Sequence, residues 1–354
     1  MIVAIAFAVA LFFAMNIGAS GAAASMGIAY GSGAIKGKKL ALFISAIGIF
    51  FGAAIGSGEV IETIGSGLIP TSLLTMELVV IILSSACASL FIANVFGIPL
   101  STSEVTVGAI VGVGIAYHIV FFENLFRIVI WWVIIPIIAF AFSFIAGKWI
   151  EKWRKQLSLL LDKNNQIFIL FVIATGFLES FSAGMNNAAN AVGPLVGAGA
   201  LSANNGMLLG GAFVALGAML LGRRTIETNG KKITALSLIQ GVSVSITSTI
   251  LVIAASLYGI PIPMTQITTS GILGIGAAKQ GAKIFQRNII KKIVAIWVVS
   301  PLLSLAIAYT FVKLIIEHDL YTSLAIASVL FATIGTLILL RIARNERNYE
   351  QRRI

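Results

Sequence analysis

Eight stretches of this chain contain no charged side chain: residues 1–35, 40–58, 78–103, 128–147, 180–222, 233–278, 293–312 and 320–340. A helix needs about 20 apolar residues to cross the ~30 Å hydrocarbon core of a bilayer, and nearly every one of these runs is long enough. Backbone polar groups in hydrocarbon must be satisfied within the protein, so the runs predict helices packed on one another. Composition agrees, with 10% of residues charged, 58% hydrophobic and a mean hydropathy of +1.03. Soluble domains carry roughly 25% charged residues, and a water-soluble globular fold is excluded. The expected fold class is an all-α polytopic membrane protein.

The 24 basic residues exceed the 13 acids by 11. In a soluble chain that balance would point to nucleic acid. Here 22 of the 24 fall in five clusters between or after apolar runs, where they set topology, and no nucleic-acid role is expected. The single cysteine, Cys87, lies in an apolar run. It allows no internal disulfide and no thiolate metal cluster, and reads as a small packing residue. Residues 1–17 lack a basic leader region and continue into further apolar sequence, so they read as a retained span. No Gly-rich phosphate loop followed by Lys-Ser/Thr is present, and His118 and His318 sit at the ends of apolar runs. Neither an ATPase, a Ser-His-Asp or Cys-His enzyme, a metal site nor a cofactor motif is expected.

The chain repeats itself. GASGAAASMGIAYGSGAI at 18–35 matches GMNNAANAVGPLVGAGAL at 184–201 in seven of eighteen positions. GIPLSTSEVTVGAIVGVGIA at 97–116 matches GIPIPMTQITTSGILGIGAA at 259–278 in eight of twenty, and the offsets, 166 and 162, nearly agree. Charges then distinguish parallel from inverted halves. Lys36, Lys38 and Lys39 follow the first motif, whereas its counterpart is followed by uncharged Ser202 to Asn205. Glu59 and Glu62 stand where the second half has Arg223, Arg224, Lys231 and Lys232. Residues 117–127 hold one base, whereas 279–292 hold five. With basic loops inside, the halves cross in opposite directions, which predicts inverted-topology repeats, about eleven crossings and an outer N-terminus.

The expected organisation is a first transmembrane repeat at 1–147, a cytoplasmic basic linker at 148–164 and a second, inverted repeat at 165–316. An additional helix and a basic cytoplasmic tail occupy 317–354. The five tryptophans suit interfacial anchors, and Glu59, Glu62 and Glu77 suit outer loops.

Irregular backbone at membrane depth is tolerated only where protein or a water-filled cavity surrounds it, so buried clusters of Gly and Pro mark broken helices. Gly97, Pro99, Ser101, Thr102, Ser103 and Glu104 precede an uncharged stretch too short to span. Pro261, Pro263, Thr265, Gln266, Thr268 and Thr269 repeat that pattern in the second half. A re-entrant helix starting there directs unpaired N–H groups, partly positive, toward a ligand, and such a site attracts anions. Ser20 and Gly21 of the first motif stand opposite Asn186 and Asn187 of the second, with Asn190 close by. Three amides in an uncharged run of 43 residues need partners from protein or ligand.

GMNNAANA at 184–191 resembles the GANDVANA signature of inorganic phosphate transporters of the PiT family, and GASGAAAS at 18–25 is a weaker copy. Pro99 to Glu104 is similar to that family's Pro-X-Ser-Thr-Thr-His element. The chain also resembles the bacterial sulfate permease branch of the family. The resemblance implies a multi-pass cytoplasmic-membrane transporter holding an oxyanion between two re-entrant hairpins. The implied ligand residues are Ser20, Gly21, Ser101, Thr102 and Ser103 from the first half, with Asn186, Asn187 and Thr265 from the second.

The departures from the family pattern select the anion. The family's aspartate falls on Gly21 in one copy and on Asn187 in the other, so both carboxylates are gone. Phosphate near neutral pH keeps a proton that a carboxylate can accept, whereas sulfate offers only acceptors and would be repelled. Sulfate is therefore the expected substrate, with thiosulfate and other tetrahedral oxyanions as relatives. Importing a dianion against the membrane potential costs about 4.6 kcal/mol per 100 mV, which proton symport would offset. Without carboxylates a Na+ site is weakened. The expected proton carriers are Glu104, where the family has His, and Glu179, two helical turns before Asn186 and so able to share its cavity. A phosphate symporter coupled to Na+ or H+, a passive anion channel and a purely structural subunit stay open as alternatives, as does assembly into a homodimer.

Overall fold

The computed structural model describes residues 1–22, 25–95, 100–153, 156, 165–223, 225–226, 237–281, 288–322, 324–325 and 328. Gly97 to Pro99, the core of the expected linker and nearly all of the expected C-terminal helix and tail lie outside these residues. Among the described residues every regular element is helical. They are α1 (Ile2–Ile17), α2 (Gly27–Gly31), α3 (Lys38–Gly56), α4 (Gly58–Ser66), α5 (Met76–Val95) and α6 (Thr102–Ala116). There follow α7 (Phe122–Lys152), α8 (Asn165–Gly197), α9 (Ala203–Leu221), α10 (Leu238–Leu257), α11 (Met264–Gln280) and α12 (Asn288–Phe311). A π-helical turn, Gly18–Ala22, extends α1, and another, Val312–Ile316, extends α12.

Seven of these helices are long and apolar enough to cross a bilayer, while Met76–Ile92 and α6 are apolar but shorter. The expectation of eleven crossings is thus not reached by full-length helices among the described residues. At 15 residues α6 spans about 22 Å, short of the hydrocarbon core, as expected of a broken element. The expected boundary at 147 falls inside α7, which continues through Lys148 to Lys152.

Close helix approaches depend on glycine, and six of them form three exchanged pairs. A Cβ built on Gly52 would lie 1.8 Å from the Phe181 carbonyl oxygen, and one built on Gly217 would lie 2.1 Å from that of Met15. Gly18 and Gly184 would meet the oxygens of Val214 and Ile49 at 1.9 and 2.1 Å. Gly112 and Gly274 would meet those of Leu305 and Phe140, both at 2.4 Å. In every pair the glycine and its partner are both displaced by 162 to 166 residues, the offset of the sequence repeat. Helix packing obeys the same exchange: α3 on α8 answers α1 on α9, and α6 on α12 answers α11 on α7. Small residues at such crossings let backbones touch where lipid supplies no hydrophobic drive to associate.

Between α10 and α11 the chain is extended. Gly259 takes φ +65°, which only glycine adopts cheaply, and Pro261 and Pro263 forbid helix until Met264. The exposed backbone of this break is tied to side chains. Asn186 Nδ2 donates to the Ile260 carbonyl at 3.0 Å while its Oδ1 accepts from Ile262 N–H at 3.1 Å. Trp132 Nε1 donates to the Pro261 carbonyl at 2.8 Å. One asparagine on α8 thus replaces the strand neighbour that the segment lacks.

Candidate functional site

The hydroxyls that open α6 meet the amides of α8. Thr102 Oγ1 donates to Asn187 Oδ1 at 3.0 Å, and Ser103 Oγ donates to Asn186 Oδ1 at 3.3 Å. Asn190 Nδ2 donates back to Thr102 Oγ1 at 3.4 Å and to Ser103 Oγ at 3.2 Å. Asn186 and Asn190 share a helix face, being four residues apart, while Asn187 is turned by about 100° toward α11. There its Nδ2 donates to the Met264 sulfur at 3.3 Å, a weak acceptor. All three asparagines are buried, with at most 5% exposed.

Sequence spacing alone could not say that the two half-chain motifs meet, and they do. Gln266 Nε2 donates to Glu104 Oε1, joining positions 162 residues apart that correspond in the repeat. Gly21 and Asn187, the other corresponding pair, also face each other: a Cβ on Gly21 would lie 3.4 Å from Asn187 Nδ2. The two positions that have lost a carboxylate relative to the resembling family are therefore neighbours.

Around this junction several polar atoms are buried without a partner, namely Ser101 Oγ, Asn190 Oδ1, Thr265 Oγ1 and Glu104 Oε2. Ser101 caps α6 and Pro263 caps α11, and neither helix start is closed by a side-chain hydrogen bond. Both helices thus present first-turn N–H groups to the same region, which favours negative charge.

The other sequence-derived candidates are placed differently. Ser20 donates to the Ile17 carbonyl at 3.2 Å within its own π turn and bonds to none of the asparagines. Asn186 commits both amide hydrogens, to Ser256 Oγ at 3.1 Å and to Ile260, and both carbonyl lone pairs, so ligand contact would require exchanging those bonds. Glu179 is 4% exposed and accepts from Ser245 Oγ at 2.5 Å, packed toward α10 rather than bonded to the asparagine cluster. Trp132 is no interfacial anchor, since its indole braces the break before α11. Gln266, Asn190, Ser256 and Met264 also belong to this network; the sequence signalled Gln266 through the repeated polar cluster and Asn190 through its place in an uncharged run, and gave no signal for Ser256 or Met264.

The phosphate transporter family model (PHO4) matches residues 17–161 and again 157–308. The sulfate permease CysP of Bacillus subtilis is 52% identical over 337 residues, covering 95% of each chain. A putative phosphate permease of Pyrococcus furiosus is 28% identical over 376 residues, covering 82% of this chain and 91% of its own. Among solved structures, one titled the sodium-dependent phosphate transporter superposes with a TM-score of 0.72 at 25% identity, covering 89% of this chain and all of that one. With two matches spanning most of its length and helices built to cross a bilayer, the chain belongs to the phosphate transporter family, a multi-pass protein of the cytoplasmic membrane.

Proposed function

We propose that this protein is a secondary active transporter that imports sulfate by proton symport, holding the anion where the starts of α6 and α11 meet the asparagines of α8. The observation that carries this reading is the meeting of hydroxyl and amide donors from both halves at a place that lacks a carboxylate at Gly21 and Asn187. Sulfate offers acceptor oxygens only, so it would draw on Ser101, Thr102, Ser103, Asn187 and Thr265 with the first-turn N–H groups of both helices. Thr102 and Ser103 now donate to asparagine carbonyls, and binding would exchange those acceptors for sulfate oxygens.

Glu104 supplies the coupling in this scheme. Its carboxyl lies in the first turn of α6, where an ionised form would repel a dianion. Protonation removes the repulsion, so proton and sulfate are favoured together, as symport requires. Opposite orientation of the two halves, supported by the exchanged glycine contacts and the inverted loop charges, supplies the rocking frame. The 52% identity to a sulfate permease favours the same anion.

Phosphate is the second reading, favoured by the phosphate permeases among the relatives and by the sodium-dependent phosphate transporter whose fold this chain shares. Proteoliposome uptake of labelled sulfate decides between them. Sulfate carriage predicts saturable uptake, accelerated by an inward proton gradient and weakly inhibited by phosphate. Equal inhibition by phosphate, or stimulation by Na+ at fixed pH, would replace this reading with the phosphate one. Single-channel currents in place of counterflow would make the protein a channel.

A further inference from the structure

A groove of about 600 Å³ lies between α7 and α12 and ends on the Glu104–Gln266 pair. Its walls are apolar: Val133 and Ile137 of α7 are 58% and 61% exposed, and Val298 and Leu302 of α12 are 58% and 57% exposed. On helices long and apolar enough to span, side chains exposed in this way face hydrocarbon rather than water. The α7 residues of the groove run from Val129 to Phe140, all within the uncharged run 128–147.

The inner end is polar. Glu104 is 1% exposed; Gln266 bonds its Oε1, and the buried Ser300 hydroxyl of α12 stands beside the same carboxyl. Pro136 and Pro301 stand inside α7 and α12 and line the same groove. A proline has no N–H, so the carbonyls four residues earlier, those of Trp132 and Trp297, lose their helical donor, and both of these residues also line the groove. An apolar corridor reached from lipid thus terminates at a buried carboxyl.

We propose that this groove is an intramembrane ligand site for a lipid-soluble molecule with an apolar body and a neutral hydrogen-bonding head, its inner contact being the Glu104 carboxyl. The site rests on the burial of Glu104 at the groove floor and is independent of which anion is carried. The same access exposes Glu104 to dicyclohexylcarbodiimide, an apolar reagent for carboxylic acids. The acid proton passes to one carbodiimide nitrogen, a carboxyl oxygen bonds to the central carbon, and the O-acylisourea rearranges by an oxygen-to-nitrogen acyl shift to a stable N-acylurea. No atom leaves and nothing is oxidised. Dicyclohexylurea, with the same apolar body and two N–H donors, is the matching unreactive ligand.

The test is peptide mass spectrometry on the full chain in proteoliposomes, which needs no transported substrate. Dicyclohexylcarbodiimide is expected to label Glu104, a water-soluble carbodiimide at equal concentration at least an order of magnitude less, and dicyclohexylurea to slow the labelling. Val133→Trp and Leu302→Trp, which fill the mouth from the lipid side, are expected to slow it several-fold, and Glu104→Gln to abolish it. Equal labelling by the water-soluble reagent would mean that Glu104 is reached from an aqueous cavity and would overturn the proposal. So would an unlabelled Glu104, or labelling indifferent to both tryptophans and to the urea. Sulfate uptake measured on the same liposomes fails or succeeds separately.

Discussion

Replacing Gly52 by alanine should pry two helices apart, and replacing Gly217 should do so equally. A Cβ at Gly52 would sit 1.8 Å from the Phe181 carbonyl oxygen, against the roughly 3.3 Å of a close C···O contact, so α3 and α8 must separate by about 1.5 Å. The obstacle is backbone and cannot rotate away as a side chain would. Overpacking typically costs 1–3 kcal/mol, and this contact belongs near the upper figure, about 3 kcal/mol. Alanine returns about 1 kcal/mol in helix propensity, leaving a net loss of about 2 kcal/mol. The Gly217 site has the same geometry at 2.1 Å and should lose nearly as much. Gly58→Ala is the control, since its new methyl would meet only the Met207 sulfur at an ordinary 3.7 Å. Thermal denaturation of the purified protein in one detergent reads all three. The reasoning fails if Gly52→Ala melts with the wild type or if Gly52→Ala and Gly217→Ala differ as much from each other as from the control.

Asn186→Leu leaves the Ile260 carbonyl and Ile262 N–H unpaired in a buried break, at about 1–3 kcal/mol each; thermal stability should fall markedly, and an unchanged melting temperature would show that the break holds itself. Glu104→Gln keeps a polar side chain beside Gln266 but cannot exchange a proton, so sulfate counterflow should persist while acceleration by an imposed pH gradient disappears; undiminished acceleration would move coupling elsewhere, with Glu179 next. Asn187→Asp, alone or with Gly21→Asp, restores the acceptors of the resembling family and should strengthen phosphate competition by about tenfold, or 1.4 kcal/mol; unaltered competition would mean that these positions do not select the anion.

Uncharged runs and loop charges sufficed for the helical class because desolvation of charge is the largest energy in a bilayer, and it acts on each residue independently. The helix starts at Thr102 and Met264 were legible for a similarly local reason, as proline and glycine restrict the chain wherever they stand. Partner choice was not local. That Asn186 ties down the 260–262 segment and Trp132 braces it depends on which backbone groups the break leaves bare. The Ser245 partner of Glu179 was invisible for the same reason, because heptad spacing along α8 fixes a face and not what packs on it.

The frame is nearly symmetric and the site is not, and that difference bears on function. Glycine contacts at Gly18, Gly52 and Gly112 recur at Gly184, Gly217 and Gly274 within a few tenths of an ångström, so the scaffold treats its halves alike. At the centre, corresponding positions differ in chemistry: Gly21 faces Asn187, and Glu104 faces Gln266. A pair of identical acids in contact would repel, whereas one acid beside one amide gives a bond whichever way the acid is protonated. The amide donates to a carboxylate and can accept from a carboxylic acid. In the proposed symport, a junction of this kind would let one proton enter or leave without forcing the two half-chains apart, and would keep a bound anion's neighbours free of a second negative charge.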